Sequence, residues 1–337
     1  MRFSRWWVTT ISVVAACTDD SPPPDESNTR RAVDRGALSV SAKALPSDTT
    51  RAVPHARGIV LWTREPSVEP AQIRSFWVEP AAAGHRVATA LEGVFVASRR
   101  GVLHWTTESV PVPIFDCDVI DDENAQPISE RGTATRALVT HDGGERVVIV
   151  DDVPTGRYAA YEHRVELLAS VGPYLFIRET TMQNGCGAHG NVEVSFFVWD
   201  TDARAVRADV LPLIEHASGV ERQRARLQLI EDARSEDPDE NPFVSHERIE
   251  ALPLDAVSLV AIVPRLDGER LVVEQLYSTD ACYACGDDVW GSYTRTTMVT
   301  ASIGPSILEP YRNAPPELLA FARAHPRLEI GGYAPLQ

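Results

Sequence analysis

Val165-Glu-Leu-Leu-Ala-Ser-Val171 runs into Gly172, Leu175-Phe176-Ile177 and then Cys186-Gly-Ala-His189-Gly190. Further on, Val257-Ser-Leu-Val-Ala-Ile-Val263 leads to Gly268, Leu271-Val272-Val273 and Cys282-Tyr-Ala-Cys285-Gly286. Glycine to first cysteine is fourteen positions in both. Short runs of Val, Ile and Leu bounded by glycine read as strands. Each copy continues into another such run, Val192 to Trp199 in the first and Ser292 to Ala301 in the second. Two apolar strands, a cysteine-bearing loop and a third strand therefore form one supersecondary unit used twice.

The first copy closes on Phe197-Val198-Trp199-Asp200-Thr201-Asp202-Ala203-Arg204-Ala205-Val206. This strand-turn-strand resembles the end of a WD-type or quinoprotein-like β-propeller blade. The resemblance implies four strands, at about 165–170, 174–181, 192–199 and 204–210. Propeller blades recur at about 40 to 50 residues, and the two copies start about ninety apart. Residues 211–256 are therefore expected to be an insertion or a degenerate blade. The expected fold is mainly β: an irregular β-propeller-like domain of repeated antiparallel sheets with a small helical insertion, with a β-sandwich as the alternative.

Upstream, Gly58 to Trp62 reads as a strand. Gly93 to Ala97, the turn Ser98-Arg99-Arg100-Gly101 and Val102 to Trp105 read as a hairpin. Arg136 to Thr140 and Arg146 to Val150 flank His141-Asp142-Gly143-Gly144, a second hairpin whose Asp-Gly is turn chemistry rather than a catalytic base. Helix signals occur twice. Ser218-Gly219-Val220-Glu221 has capping-box spacing ahead of a pattern carrying Val220, Leu227 and Ile230. Pro315-Pro316-Glu317 opens a short helix through Leu318, Leu319 and Phe321 that Pro326 should stop.

At the N-terminus, Arg2 and Arg5 precede an apolar stretch from Trp6 to Ala16, too short to span a bilayer, which ends in Val14-Ala15-Ala16-Cys17. This segment resembles a bacterial lipoprotein signal peptide over residues 1–16. The resemblance implies cleavage before Cys17 and lipidation of its thiol, and hence a protein held in the cell envelope by acyl chains. Thr18 follows the cysteine, where an Asp would signal inner-membrane retention in enterobacterial lipoproteins, so the outer membrane is the preferred address. An ordinary secretory signal cleaved nearby is the alternative. Residues 17–57 combine Pro22-Pro23-Pro24 with a polar stretch of few large apolar side chains, the composition of a disordered tether. Residues 58–337 are long enough for a β-rich globular domain with a sizeable core.

The net charge is −16, and more acidic once Arg2 and Arg5 are removed. An acidic surface repels nucleic acid, so no nucleic-acid partner is expected. Lys43 in the tether is the only lysine. A P-loop, a protein-kinase site and a pyridoxal Schiff base each need a lysine in the folded part, so all three are excluded. The signature patterns of serine hydrolases, zincins and dinucleotide-binding folds do not occur.

With Cys17 lipidated, Cys117, Cys186, Cys282 and Cys285 remain, an even number for an oxidising compartment. Two disulfides are expected, Cys282 with Cys285 as a local pair and Cys117 with Cys186 as a staple between loops. Zinc is the alternative. Cys186-x-x-His189 and Cys282-x-x-Cys285 occupy equivalent loops and have the ligand types and short spacings of a tetrahedral site. A thioredoxin-like role for Cys282 and Cys285 is disfavoured by the loop context of Gly286-Asp287-Asp288. The acidic cluster of Asp116, Asp118, Asp121, Asp122 and Glu123 lacks the rhythm of an EF-hand and reads as a solvated turn. Ser235 to Pro242 reads as an exposed acidic loop.

The function expected on these grounds is binding or scaffolding at the cell envelope. The membrane would be contacted through the acyl chains, and a protein or glycan ligand through loops, without a cofactor and with no catalytic residue assigned. The alternative is an exported zinc-dependent enzyme, a hydrolase, with Cys186, His189, Cys282 and Cys285 around the metal.

Overall fold

The computed structural model describes residues 57–65, 72–79, 88–99, 101–141, 144–151, 153–187, 189–235, 252–281, 286–301 and 304–336. These residues belong to one contact unit, Ser47–Gln337. The signal peptide, Cys17 and all but the last residue of the tether lie outside the described residues, as do Cys282, Cys285 and the acidic loop from Glu236.

The first repeat opens in β8 (Ala160–Val171), the strand around which the others assemble. It pairs antiparallel with β9 (Tyr174–Asn184), and β9 with β10 (Asn191–Asp200), a three-stranded meander. The second copy forms the same meander from β12 (Ser258–Asp267), β13 (Arg270–Asp280) and β14 (Thr294–Ala301), in a separate sheet. The turns at Gly172 and Gly268 have φ of 56° and 60°, left-handed conformations that glycine adopts without penalty. Both meanders carry a β-bulge at the equivalent place, Leu168 in β8 and Val260 in β12. The extra residue switches the buried face of β8. Val165 and Leu167 pack into one core, Ala169 and Val171 into another.

The second edge of β8 is shared between two partners, both parallel. Near its start Glu162 pairs with Thr133 of β6 (Ser129–His141), and at its end Ser170 and Val171 pair with Gly332 and Tyr333 of β15 (Glu329–Leu336). The sheet forks there into two leaves. One continues from β15 to β1 (Gly58–Glu65), β2 (Gln72–Val78) and β3 (Ala88–Leu91). The other runs from β6 to β5 (Gly101–Ile114) and β4 (Val94–Ser98), with β7 (Arg146–Val150) also on β6. Trp62, Val96, Leu103, Trp105, Val139, Leu175 and Ile177 form the core joining the leaves to the meander. In it the Trp62 indole Nε1 donates to Ser170 Oγ at 2.8 Å. The approach is possible because Gly332 has no side chain. A Cβ there would lie 2.1 Å from Ser170 Oγ and 2.4 Å from Trp62 Nε1.

On the opposite face Phe176 and Val198 pack with the second meander, α1 (Val210–Ala217), α2 (Gly219–Ser235) and α3 (Pro316–Ala324). The α3 helix ends at Ala324, just before Pro326, as its flanking residues predict. The α2 helix forms where expected but rotates differently. Val220 and Leu227 are 64% and 54% exposed, and Ala225, Leu229, Ile230 and Ala233 take the buried side. Ser218 donates its hydroxyl to the Glu215 carbonyl, joining the cap to the end of α1.

The propeller expectation is overturned, and with it the resemblance to a blade. Three strands of the expected blade exist. The fourth, β11 (Ala205–Val206), has two residues and pairs only with Trp199 and Asp200. The two meanders lie in different sheets, and the parallel junctions of β8 make the larger sheet mixed and open rather than a ring of antiparallel blades. The forked sheet with helices on one face is not a clear β-sandwich either. The mainly β character stands. The misreading arose because a meander with an Asp-Thr-Asp turn is local, whereas closure is decided by which distant strand takes the free edge of β8.

Candidate functional site

Past Ile114 the chain turns through Cys117–Val119, a short 3-10 turn capped by Asp116, whose Oδ1 accepts from the Asp118 amide at 3.0 Å. Asp122 Oδ1 accepts from the Asn124 amide at 2.9 Å. Carboxylates of the acidic cluster thus satisfy their own backbone, which is turn chemistry. The carbonyls are held by Arg157, whose guanidinium donates to Ile120 at 3.2 Å, to Glu123 at 2.6 Å and to Asp122, and lies over the Phe115 ring at 4.9 Å. Cys117 is disulfide-bonded to Cys186, with a Cα separation of 5.4 Å, as expected for the staple between loops. It ties this loop to the β9–β10 connection.

The β9–β10 and β13–β14 connections meet. Ser292 donates its amide to the Val192 carbonyl at 3.2 Å, its hydroxyl oxygen accepts from the Val192 amide at 2.8 Å, and Glu193 bridges to Gly291. His189 Nδ1 is 3.1 Å from the Gly190 carbonyl and Nε2 is 3.2 Å from the Tyr293 hydroxyl. A carbonyl can only accept, so Nδ1 carries the proton and Nε2 accepts from Tyr293. Asp287 anchors the other side, its Oδ2 accepting from the amide and hydroxyl of Thr296 at 2.6 and 2.7 Å. Among the described residues only three other than glycine have positive φ, and two of them sit in these loops: Cys186 at 67° and Asp288 at 55°. Such conformations persist where the surroundings fix them, and they concentrate at functional sites.

These segments enclose a cleft of about 640 Å³. Across its strands Glu162, Met182 and Val192 form one cross-strand rank, with Ala160 opposite Asn184 in the next. Arg131 and Gly132 of β6 and Asp288 and Ser292 also line it. Asn184 Oδ1 accepts from the Cys186 amide at 2.8 Å, and Gln183 and Asn191, opposite each other in the register, lie on the other face of the strands from Met182. Met182 in the cleft is 45% exposed, as is Tyr293, next to Ser292, at 44%. Beneath, the cleft rests on a buried cross-link. His163, 2% exposed, holds Glu179 Oε2 through Nε2 at 3.3 Å and accepts from the Thr135 amide at Nδ1, joining β6, β8 and β9. A second hollow, of about 420 Å³ between the β12–β13 turn and α3, is lined by charges already paired, Arg323 with Glu269 at 3.0 Å and Arg265 with Glu274 at 2.8 Å.

Of the residues singled out in the sequence, Cys117 and Cys186 meet in the disulfide, and His189, three residues on, bonds Tyr293 of the other loop. Cys17, Cys282 and Cys285 lie outside the described residues. With its sulfur in the disulfide, Cys186 is not a thiolate, so a zinc site of Cys186, His189, Cys282 and Cys285 requires that bond to be open. Measured from the shared bulge, Cys186 corresponds to Gly286 and His189 to Val289, because each strand of the second hairpin is four residues longer beyond the bulge. The equal glycine-to-cysteine spacing is therefore not a spatial equivalence. Glu162, Met182, Asn184, Asn191 and Asp288 were not singled out. The only sequence signal was the run Met182-Gln183-Asn184, where apolar alternation gives way to amides before a glycine. No known protein family matches the chain, and no curated protein matches it in sequence.

Proposed function

We propose that the protein is a lipid-anchored cell-envelope protein that binds a ligand in the cleft between the two meander loops. The observation that carries this reading is the construction of the cleft. Segments far apart in sequence are brought to one place by a disulfide, by the Arg157 clamp and by reciprocal Val192–Ser292 hydrogen bonds. The surface so framed sets exposed Met182 among polar residues that include Glu162 and Asp288, a mixture used by binding sites. The anchor rests on Arg2, Arg5 and Val14-Ala15-Ala16-Cys17, with the outer membrane the preferred location.

Two measurements test the two halves. Labelled palmitate should enter the wild-type chain and not Cys17→Ser; equal incorporation refutes the anchor. Amide exchange of the full chain should slow at residues 182–187, 189–192 and 286–292 when outer-membrane protein fractions or cell-envelope glycan fractions are added. Unchanged exchange there, across protein and glycan fractions alike, refutes the cleft. The zinc-hydrolase alternative draws its support from the contact between the two loops. Stoichiometric zinc that is lost in His189→Ala would bring it forward.

A further inference from the structure

We infer that the Cys117–Cys186 disulfide is a thiol-exchange site that discriminates by charge, opening in the folded protein to cationic and neutral thiols and resisting anionic ones. This goes beyond ligand binding and holds whether or not the cleft is occupied. A buried structural disulfide is out of reach of an external thiol. Here Cys117 is exposed and Cys186 half-buried, and Cys186 lies between the exposed glycines Gly185 and Gly187, which carry no side chain to cover the sulfurs. Exposed disulfides are the ones that exchange.

The turn that carries Cys117 sets the selectivity. Asp116 and Asp118 adjoin the cysteine, Asp121, Asp122 and Glu123 follow on the same turn, and all five are exposed. No ion pair joins any of them to a described residue, and the Arg157 guanidinium donates to the carbonyls of Ile120, Asp122 and Glu123. Five negative charges against one positive therefore stand beside one half of the bond. An arriving thiolate adds to that charge, and during exchange its charge spreads along three sulfurs in line. A positive group carried by the same thiol offsets the repulsion, and a second negative group doubles it.

In the first step the thiolate of the reductant bonds to Sγ of Cys117, the S–S bond breaks, and Cys186 leaves as a thiolate that takes up a proton from water. A second thiolate of the reductant then displaces Cys117 from the mixed disulfide. Two external thiols are thereby oxidised to one disulfide while the two cysteines are reduced. Both halves stay placed after the bond opens. Phe115 still donates to the Tyr158 carbonyl at 2.9 Å, and the Cys186 amide to Asn184 Oδ1 at 2.8 Å. The reverse exchange can therefore close the bond in the folded chain, and the reductant this site fits is a dithiol set in a basic surface.

The test treats the full chain, in non-ionic detergent, with cysteamine, mercaptoethanol and mercaptoethanesulfonate, which differ successively by a unit of charge. Each rate, per thiolate, is divided by that of the same thiol on hydroxyethyl disulfide, a neutral reference. Alkylation and peptide mass spectrometry read Cys117 and Cys186 apart from the other cysteines, and circular dichroism checks that the chain stays folded. At about 0.01 M ionic strength the corrected rates should fall about fivefold with each added negative charge, and at about 0.5 M they should agree within about twofold. Asp118→Asn combined with Asp121→Asn should cut the low-salt step to about twofold. Equal corrected rates at low salt, an unchanged step in the double variant, or opening only once the folded spectrum is lost overturns the inference.

Discussion

Replacing both Cys117 and Cys186 with serine should lower the melting temperature by about 8 °C. The bond joins residues 69 apart in sequence and encloses β6, β7, β8 and β9. Cross-linking a loop of that length removes conformational entropy from the unfolded chain worth about 4 kcal/mol at 25 °C. At about 2 °C per kcal/mol for a domain of this size, the shift follows. Native contacts around the bond should survive, because Arg157 still clamps the carbonyls of Ile120, Asp122 and Glu123 and Phe115 still donates to Tyr158. The effect therefore belongs to the unfolded state. The assay is a circular-dichroism melt of the full chain without reductant, parent against double variant, with the folded spectra compared first. A fall of less than about 2 °C, equivalent to under about 1 kcal/mol, would refute the entropic reasoning.

Gly332→Ala should destabilise by about 3 kcal/mol in urea unfolding, since the added methyl would meet Ser170 and the Trp62 indole at the junction of β15 with β8; a change within error would mean that the junction yields. His104 stacks on Phe95 with ring centroids 4.9 Å apart, and burial, opposed by Glu92, holds its pKa below the ordinary 6.5. The unfolded chain takes up that proton first, so the contribution is complete above about pH 6.5 and is lost as pH falls through the folded value. Urea midpoints from about pH 7.5 to about pH 5.5 should therefore fall less steeply in His104→Phe than in the parent, and parallel profiles would rule this group out. Tyr333 donates to the Tyr311 carbonyl at 2.6 Å, and burial raises its pKa well above 10. Its stabilisation is complete below pH 10 and declines above it. Tyr333→Phe should cost about 1 kcal/mol at neutral pH and soften the alkaline limb; an unaltered limb assigns that slope to other groups.

What the sequence made legible was local. The hairpins at Ser98 to Gly101 and around His141, the two meanders and the proline-bounded α3 follow from alternation and turn residues, each read within a few tens of positions. The two bulges were invisible, because Leu168 and Val260 are ordinary apolar residues in apolar runs and become bulged only through the register of the partner strand. The sheet's branching was hidden for a related reason. Nothing in Glu162 or Ser170 announces that one half of β8 will choose β6 and the other β15. The staple between Cys117 and Cys186 could be anticipated because cysteines are few. The cleft could not, because Glu162, Met182 and Asp288 come from β8, β9 and the β13–β14 connection and their convergence depends on the same long-range pairings.

Strand β15 lies between β1 and β8, yet it is synthesised after every other strand described. Until residues 329–336 are delivered, β1 and β8 each expose a bare edge, and neither leaf can be joined to the meander through Trp62 and Ser170. Contacts spanning most of the chain form slowly, so completion of the larger sheet must wait until residues 329–336 have been made. A polypeptide built this way stays threadable while it is being made, the condition under which a chain can be passed through a narrow channel before it locks.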